Sequence, residues 1–117
     1  MRALRITADV IAMSRAQWMS RLRLEALQSR RLRAIVAHAH ATVPLYRERF
    51  DAAGIRPADV RSLADLARLP VLIRAELEAA DPARKISSIY SPLGLMETRT
   101  SGSSGRPLTF HRNPYDH

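Results

Sequence analysis

Apolar residues recur at helical spacing through the first part of the chain. Leu4, Ala8, Ile11, Trp18 and Leu22 lie three, four or seven positions apart, with Arg15 interrupting the stripe. This spacing predicts a helix over the opening residues. A second helical stretch is predicted from about Arg23 to Ala41, with Leu24, Leu27, Leu32, Ile35, Val36 and Ala39 as its apolar side and Arg30, Arg31 and Arg33 as its polar side. Pro44 should end or redirect it, because proline supplies no N–H and disfavours helix in the residue before it.

"PLYRERFDAAGI" reads as a short helix. Tyr46 and Phe50 share one face at a spacing of four, and Gly54 suits the left-handed position that closes a helix. Pro57-Ala58-Asp59 opens the next unit. Ser62 stands three residues before Asp65 and predicts a capping-box start to "LADLARL", which Pro70 stops. "IRAELEAA" is a further short helix, stopped by Asp81-Pro82.

The pattern changes after about residue 85. "ISSIYSPLGLMETRT" and "PLTFHRN" are richer in β-branched and aromatic residues, and they flank a glycine loop. The reading is strand, loop, strand, with Asn113-Pro114 beginning another helix. The fold class is α+β: a helical region over 1–85, then a segment 86–117 that carries a β-hairpin at about 95–112. No internal repeat is evident.

Composition narrows the setting. A chain of 117 residues with 46% hydrophobic and 26% charged residues is an ordinary globular composition. The absence of cysteine excludes disulfides and thiolate metal sites, and it fits a reducing, cytoplasmic compartment. No apolar run approaches the roughly 20 residues of a spanning helix. The N-terminus lacks the continuous apolar stretch of a secretory signal. The net charge of +8 comes mostly from arginine and favours anionic partners.

The candidate chemistry sits in "TRTSGSSGRPLTFHRN". As a polar Gly-Ser-Ser-Gly stretch it could be linker or an ordered hairpin turn. It also has the parts of an anion cradle. Gly102 and Gly105 allow backbone N–H groups to turn inward. Thr100, Ser101, Ser103 and Ser104 add hydroxyls, and Arg106 adds a charge that phosphate oxygens can share. The spacing matches neither the Walker loop nor the dinucleotide fingerprint.

"TSGSSGRP" resembles the signature loop of the adenylate-forming superfamily. The upstream chain resembles the N-terminal region of phenylacetate–CoA ligase-like proteins, including relatives associated with capsular polysaccharide synthesis. The elements that carry this are the Val-Pro-x-Tyr-Arg segment, the Ala-Gly-Ile turn, the Ser-Leu-x-Asp-Leu unit and the Leu-Pro-Val step, in that order, over about residues 25 to 112. Ser104 stands where threonine is commoner, Arg106 where lysine is frequent, and Leu108 where many wider relatives have lysine.

The resemblance implies an incomplete N-terminal part of an adenylate-forming fold. It implies ATP with Mg²⁺, a carboxylic acid and, in the full-length family, coenzyme A. Thr100, Ser101, Gly102, Ser103, Ser104, Gly105 and Arg106 would hold the β- and γ-phosphates. The family's acyl pocket, adenine contacts and catalytic lysine lie downstream of this region. The chain alone is therefore expected to lack adenylating activity and to associate with a downstream fragment. No catalytic residue is assigned.

Other residues carry weaker signals. His38 and His40 are two apart and point to different helix faces, so they make a poor metal pair. His111 and His117 lack a supporting carboxylate pattern, and no metal ligand is assigned. The basic stretch "RLRLEALQSRRLRAIVAHAH" opens a different class, a small helical protein that binds nucleic acid or an anionic membrane surface. A solvated basic face is favoured over both.

Overall fold

The computed structural model describes residues 10–90, 94–101 and 107–113. Residues 10–16 are helical (α1) and residues 17–19 form a turn. That turn is held by Trp18 N–H donating to Arg15 O at 3.2 Å and Met19 N–H to Ala16 O at 3.1 Å. The turn therefore divides the helical spacing read from Leu4 to Leu22 into two segments. Trp18 and Leu22 are 85% and 79% exposed, so they do not face the core.

Helix α2 spans Arg21–Thr42 and α3 spans Pro44–Ala52. Only Val43 separates them, and Pro44 opens α3 at a first-turn position where its missing N–H costs nothing. The last carbonyls of α2 are all taken. Val43 N–H donates to Ala39 O at 2.9 Å. Arg47 bridges back with Nε to His40 O at 2.9 Å and Nη2 to Ala41 O. Ser88 N–H donates to Thr42 O at 2.8 Å. A guanidinium at this end also complements the negative pole of the helix.

Helix α3 ends in a Schellman motif. Gly54 has φ +66. Ile55 N–H donates to Phe50 O at 2.9 Å and Gly54 N–H to Asp51 O at 3.0 Å. This turn drops Ile55 back beside Phe50. Phe50, Ile55, Val36 and Val60 form the buried cluster, with Leu32 and Leu69 packed against it. The predicted apolar side of α2 is only partly the buried one, since Ile35 is 65% exposed.

Two 3₁₀ segments follow, Pro57–Asp59 and Leu63–Arg68. The capping carboxylate expected at Asp65 is present. It accepts from the backbone N–H groups of Arg61 and Ser62, each at 3.0 Å, and from Ser62 Oγ at 3.1 Å. The segment it starts is a 3₁₀ helix rather than an α-helix. Helix α4 spans Arg74–Ala79 and α5 spans Pro82–Lys85. Asp81 caps α5 by accepting from Ala83 N–H at 2.7 Å.

Arg49 joins α3 to the segment before and within α4, donating to Glu76 Oε1 at 2.7 Å and to Val71 O. Arg84 pairs with Glu48 and ties α5 to α3. Strands β1, Met96–Arg99, and β2, Thr109–Arg112, then form an antiparallel pair. The expectation of helices followed by a hairpin is met. Residues 86–90, expected to be strand-like, instead run without strand pairing. There Ser88 bonds the end of α2 rather than a neighbouring strand, and Tyr90 N–H donates to Ser87 O at 3.0 Å. The Cα radius of gyration is 16.5 Å, above the about 13 Å of a compact chain near this size, and the chain keeps many apolar side chains at the surface.

Candidate functional site

Strands β1 and β2 flank the glycine-rich stretch in the sequence. Their register pairs Met96 with Arg112, Glu97 with His111, Thr98 with Phe110 and Arg99 with Thr109. The next pair out is Thr100 with Leu108, and it closes differently. Thr100 N–H donates to Leu108 O at 3.0 Å. The return bond runs from Leu108 N–H to Thr100 Oγ1 at 2.9 Å, not to the Thr100 carbonyl. A side-chain oxygen therefore stands in for a backbone oxygen at the mouth of the loop. The hydroxyl still has its own proton to donate.

Thr100 and Ser101 are both exposed at this mouth. Gly102, Ser103, Ser104, Gly105 and Arg106 lie outside the described residues. The hairpin thus brings Thr100 and Ser101 of the predicted set together at the loop's entrance. Just inside it, Arg99 is paired with Glu97 at 2.8 Å, with both side chains exposed. An exposed pair of this kind contributes little to stability.

The histidines are ordinary in part. His38 lies 3.3 Å from Thr42 Oγ1, within one turn of α2. His40 does something the sequence did not reveal. Its Nε2 lies 2.9 Å from Asp51 Oδ1, and its ring stacks on Phe50 with centroids 6.3 Å apart and planes 3° from parallel. Asp51 is brought there by the reversal at Val43-Pro44, so spacing within one helix could not have found it. Among the described residues no group of three or more His, Asp and Glu side chains could hold a metal ion.

Three carboxylates are held below their usual range. A side-chain hydrogen bond from Arg56, with a backbone bond from the same residue, lowers Asp59. Backbone N–H groups of Arg61 and Ser62 lower Asp65. The Arg49 guanidinium, with Ile73 N–H, lowers Glu76. All three serve helix starts or inter-helix ties, which is a structural use of charge. Arg30, Arg31 and Arg33 are exposed on α2, and none enters an ion pair among the described residues. No helix among the described residues is long and apolar enough to cross a membrane.

No family model matches the chain. Comparison with curated proteins does find relatives. The chain is 37% identical over 91 residues to a phenylacetate–coenzyme A ligase of Aromatoleum evansii, covering 72% of this chain and 19% of that protein. It is 35% identical over 91 residues to the phenylacetate–coenzyme A ligase of Escherichia coli (strain K12), with the same coverage. A phenylacetate–coenzyme A ligase of Thermus thermophilus is 32% identical over 94 residues, 74% of this chain and 19% of that protein. The matched region is thus about a fifth of the length of these relatives.

Proposed function

We infer that this chain, which belongs by sequence to the phenylacetate–coenzyme A ligase family, supplies the phosphate-binding loop of an ATP-dependent ligase that activates a carboxylic acid. The observation that carries the reading is the agreement of two independent features. The chain shares identity with three-quarters of its length engaged. The strands on either side of "TSGSSGRP" pair, and Thr100 and Leu108 are joined by two hydrogen bonds. Donors held in place are what a polyphosphate needs, and the Thr100–Leu108 bonds fix the flanks of the stretch.

In this reading Thr100, Ser101, Gly102, Ser103, Ser104, Gly105 and Arg106 cradle the β- and γ-phosphates. The glycines supply inward N–H groups, the hydroxyls supply further donors, and Arg106 shares charge with phosphate oxygens. Mg²⁺, held with ATP, would supply charge neutralisation of the polyphosphate while a carboxylic acid is activated as its acyl-adenylate, which coenzyme A or another acceptor would then take up. No side chain described here takes part in that bond-making. The chain's contribution is to position and neutralise.

The reading is tested by titrating the ¹⁵N-labelled chain with Mg²⁺-ATP, Mg²⁺-tripolyphosphate and adenosine. Shifts of the Thr100 and Ser101 amides with ATP and tripolyphosphate, but not with adenosine, are expected. Equal response to adenosine, or no response at either residue, overturns it.

A further inference from the structure

The segment that leads into the basic helix α2 keeps its large apolar side chains in water. Trp18, in the turn between α1 and α2, is 85% exposed, and Met13 on α1 is 70% exposed. Val10, Ile11, Met19 and Leu22 are exposed as well. A solvated basic face needs none of these side chains. Apolar groups of this size, gathered in one segment and left outside the core, mark a surface that meets something apolar.

The same stretch holds a strong charge asymmetry. Between residues 10 and 40 stand Arg15, Arg21, Arg23, Arg30, Arg31 and Arg33 against one acid, Glu25, which pairs with Arg21 at 2.8 Å. Along α2, Leu22, Ala26, Arg30 and Arg33 follow at intervals of four, four and three, so they share a helix face. All four are exposed. Leu32 and Val36 carry a different face of the helix to the core. The exposed face therefore runs from an apolar end beside Trp18 to a cationic stretch. Arg33 lies about 16 Å from Leu22 along the axis, at about 1.5 Å per residue, so one flat partner meets both when α2 lies along it.

A nucleic-acid duplex would engage the guanidinium groups and leave Trp18 and Met13 in water. A second copy placed face to face would set the arginines against themselves. An anionic bilayer takes both halves: apolar side chains enter the boundary between headgroups and acyl chains, and arginines meet the lipid phosphates. The apolar half also precedes the residues that carry the family resemblance, which begin near residue 25. We propose that the surface from α1 to Arg33 is a contact for an anionic membrane surface, with Met13, Trp18 and Leu22 at the headgroup boundary and Arg30 and Arg33 on lipid phosphates. The chain lies on such a membrane, and the contact does not depend on the glycine loop binding ATP.

Trp18 is the chain's one tryptophan, so its emission reports on this surface directly. The 117-residue chain is titrated with vesicles of phosphatidylcholine alone and of phosphatidylcholine mixed with phosphatidylglycerol, following Trp18 emission and co-sedimentation. A saturable blue shift with the anionic vesicles is expected, with binding about tenfold weaker or less to the neutral ones and a loss of affinity as salt is raised. No binding to anionic vesicles, or equal binding to neutral ones, overturns the proposal. Tighter binding to duplex DNA at equal phosphate concentration would assign the surface to nucleic acid and overturn it. A dimer with blue-shifted Trp18 in the absence of lipid would assign it to a second copy, with the same consequence. Loss of vesicle binding in a ligase of full family length carrying this sequence would show the face covered by the rest of that protein, and would also overturn it.

Variants separate this surface from net charge and from folding. Trp18→Ser, read by co-sedimentation, should weaken binding to anionic vesicles about fivefold or more, and its urea midpoint should not move because the side chain packs on nothing in the core. Arg30→Gln with Arg33→Gln should weaken binding about tenfold and flatten the salt dependence, while Trp18 still shifts at saturating lipid. Arg61→Gln with Arg112→Gln removes the same charge from exposed positions elsewhere and should change affinity less than about twofold. Equal losses from the two arginine pairs would make the binding an effect of net charge and sink the assignment, as would unaltered affinity in Trp18→Ser. Failure of ATP to shift Thr100 leaves the membrane contact standing, and failure of vesicle binding leaves the loop's role standing.

Discussion

Leu108 N–H is held by the side chain of Thr100, at 2.9 Å, while Thr100 N–H is held by the backbone of Leu108, at 3.0 Å. The pair closes the hairpin one step beyond its last strand residues with one backbone bond and one hydroxyl bond. Removing the hydroxyl but keeping the shape tests its share. Thr100→Val should leave Leu108 N–H to solvent and weaken the mouth by about 1 kcal/mol, the usual net worth of one such bond. The Leu108 amide should then exchange with deuterium about fivefold faster, while Thr100→Ser keeps the wild-type rate. An unchanged rate in the valine variant would show that the bond does not hold the mouth.

Gly54 sits at φ +66 just past α3, and a Cβ added there would meet nothing within 4 Å. Any cost of a side chain is therefore conformational and not steric crowding. Gly54→Ala should destabilise by about 1–2 kcal/mol, read as a lower urea midpoint with the slope unchanged. Asn tolerates this region better, so Gly54→Asn should recover part of the loss. Equal stability of the alanine variant would mean that the turn relaxes out of the left-handed region.

The folded chain should lose stability in acid for an identifiable reason. Asp65 and Glu76 are held below the ordinary carboxylate range by hydrogen bonds that exist only in the folded state, from Arg61 and Ser62 N–H to Asp65 and from the Arg49 guanidinium and Ile73 N–H to Glu76. A carboxylate lowered on folding contributes stability above its unfolded value, and that contribution fades as pH falls through the folded value. The urea midpoint should hold from pH 7 to about 5 and then decline as the pH drops below the range of these carboxylates. Asp65→Asn and Glu76→Gln should each lower the midpoint at pH 7 and flatten the decline. A midpoint that rises on acidification would contradict the sign.

Much of this was visible in local sequence. Ser62 and Asp65, Gly54 after α3, Pro44 at the break and the shift to strand composition near residue 95 are short-range signals, and each sits within a few residues of its structural effect. The two strands that flank "TSGSSGRP" followed from the same logic. What stayed hidden depends on chain reversal. His40 meets Asp51 and Arg49 meets Glu76 only after α2 and α3 fold back, and no spacing rule reports such pairs. Trp18 misled for another reason. Its spacing from Leu22 suited a helix face, but the turn at residues 17–19 breaks the phase and leaves it in solvent. Ser87 Oγ, buried without a hydrogen-bond partner among the described residues, is likewise a property of packing and has no sequence signature.

The loop's chemistry is best tested where the whole reaction runs, in a ligase of full family length carrying this sequence. Gly102→Val and Gly105→Val should each damage ATP use far more than acid binding. A β-branched side chain resists positive φ and fills the space where a phosphate must approach backbone N–H groups. The KM for ATP should rise and the rate of ATP–pyrophosphate exchange should fall, with the KM for the acid little changed. Arg106→Ala should be milder, because it removes one charge-assisted contact, worth about 1.5–3 kcal/mol, and leaves the backbone cradle in place. Arg106→Lys should be milder still where charge alone matters, since lysine keeps the charge but not the planar fork. The order glycine variants, then Arg106→Ala, then Arg106→Lys is the signature of a backbone cradle. If the arginine variants were the more damaging, phosphate recognition would rest on the side chain. If both glycine variants kept normal ATP kinetics, "TSGSSGRP" would be a surface turn on the hairpin that Thr100 and Leu108 close.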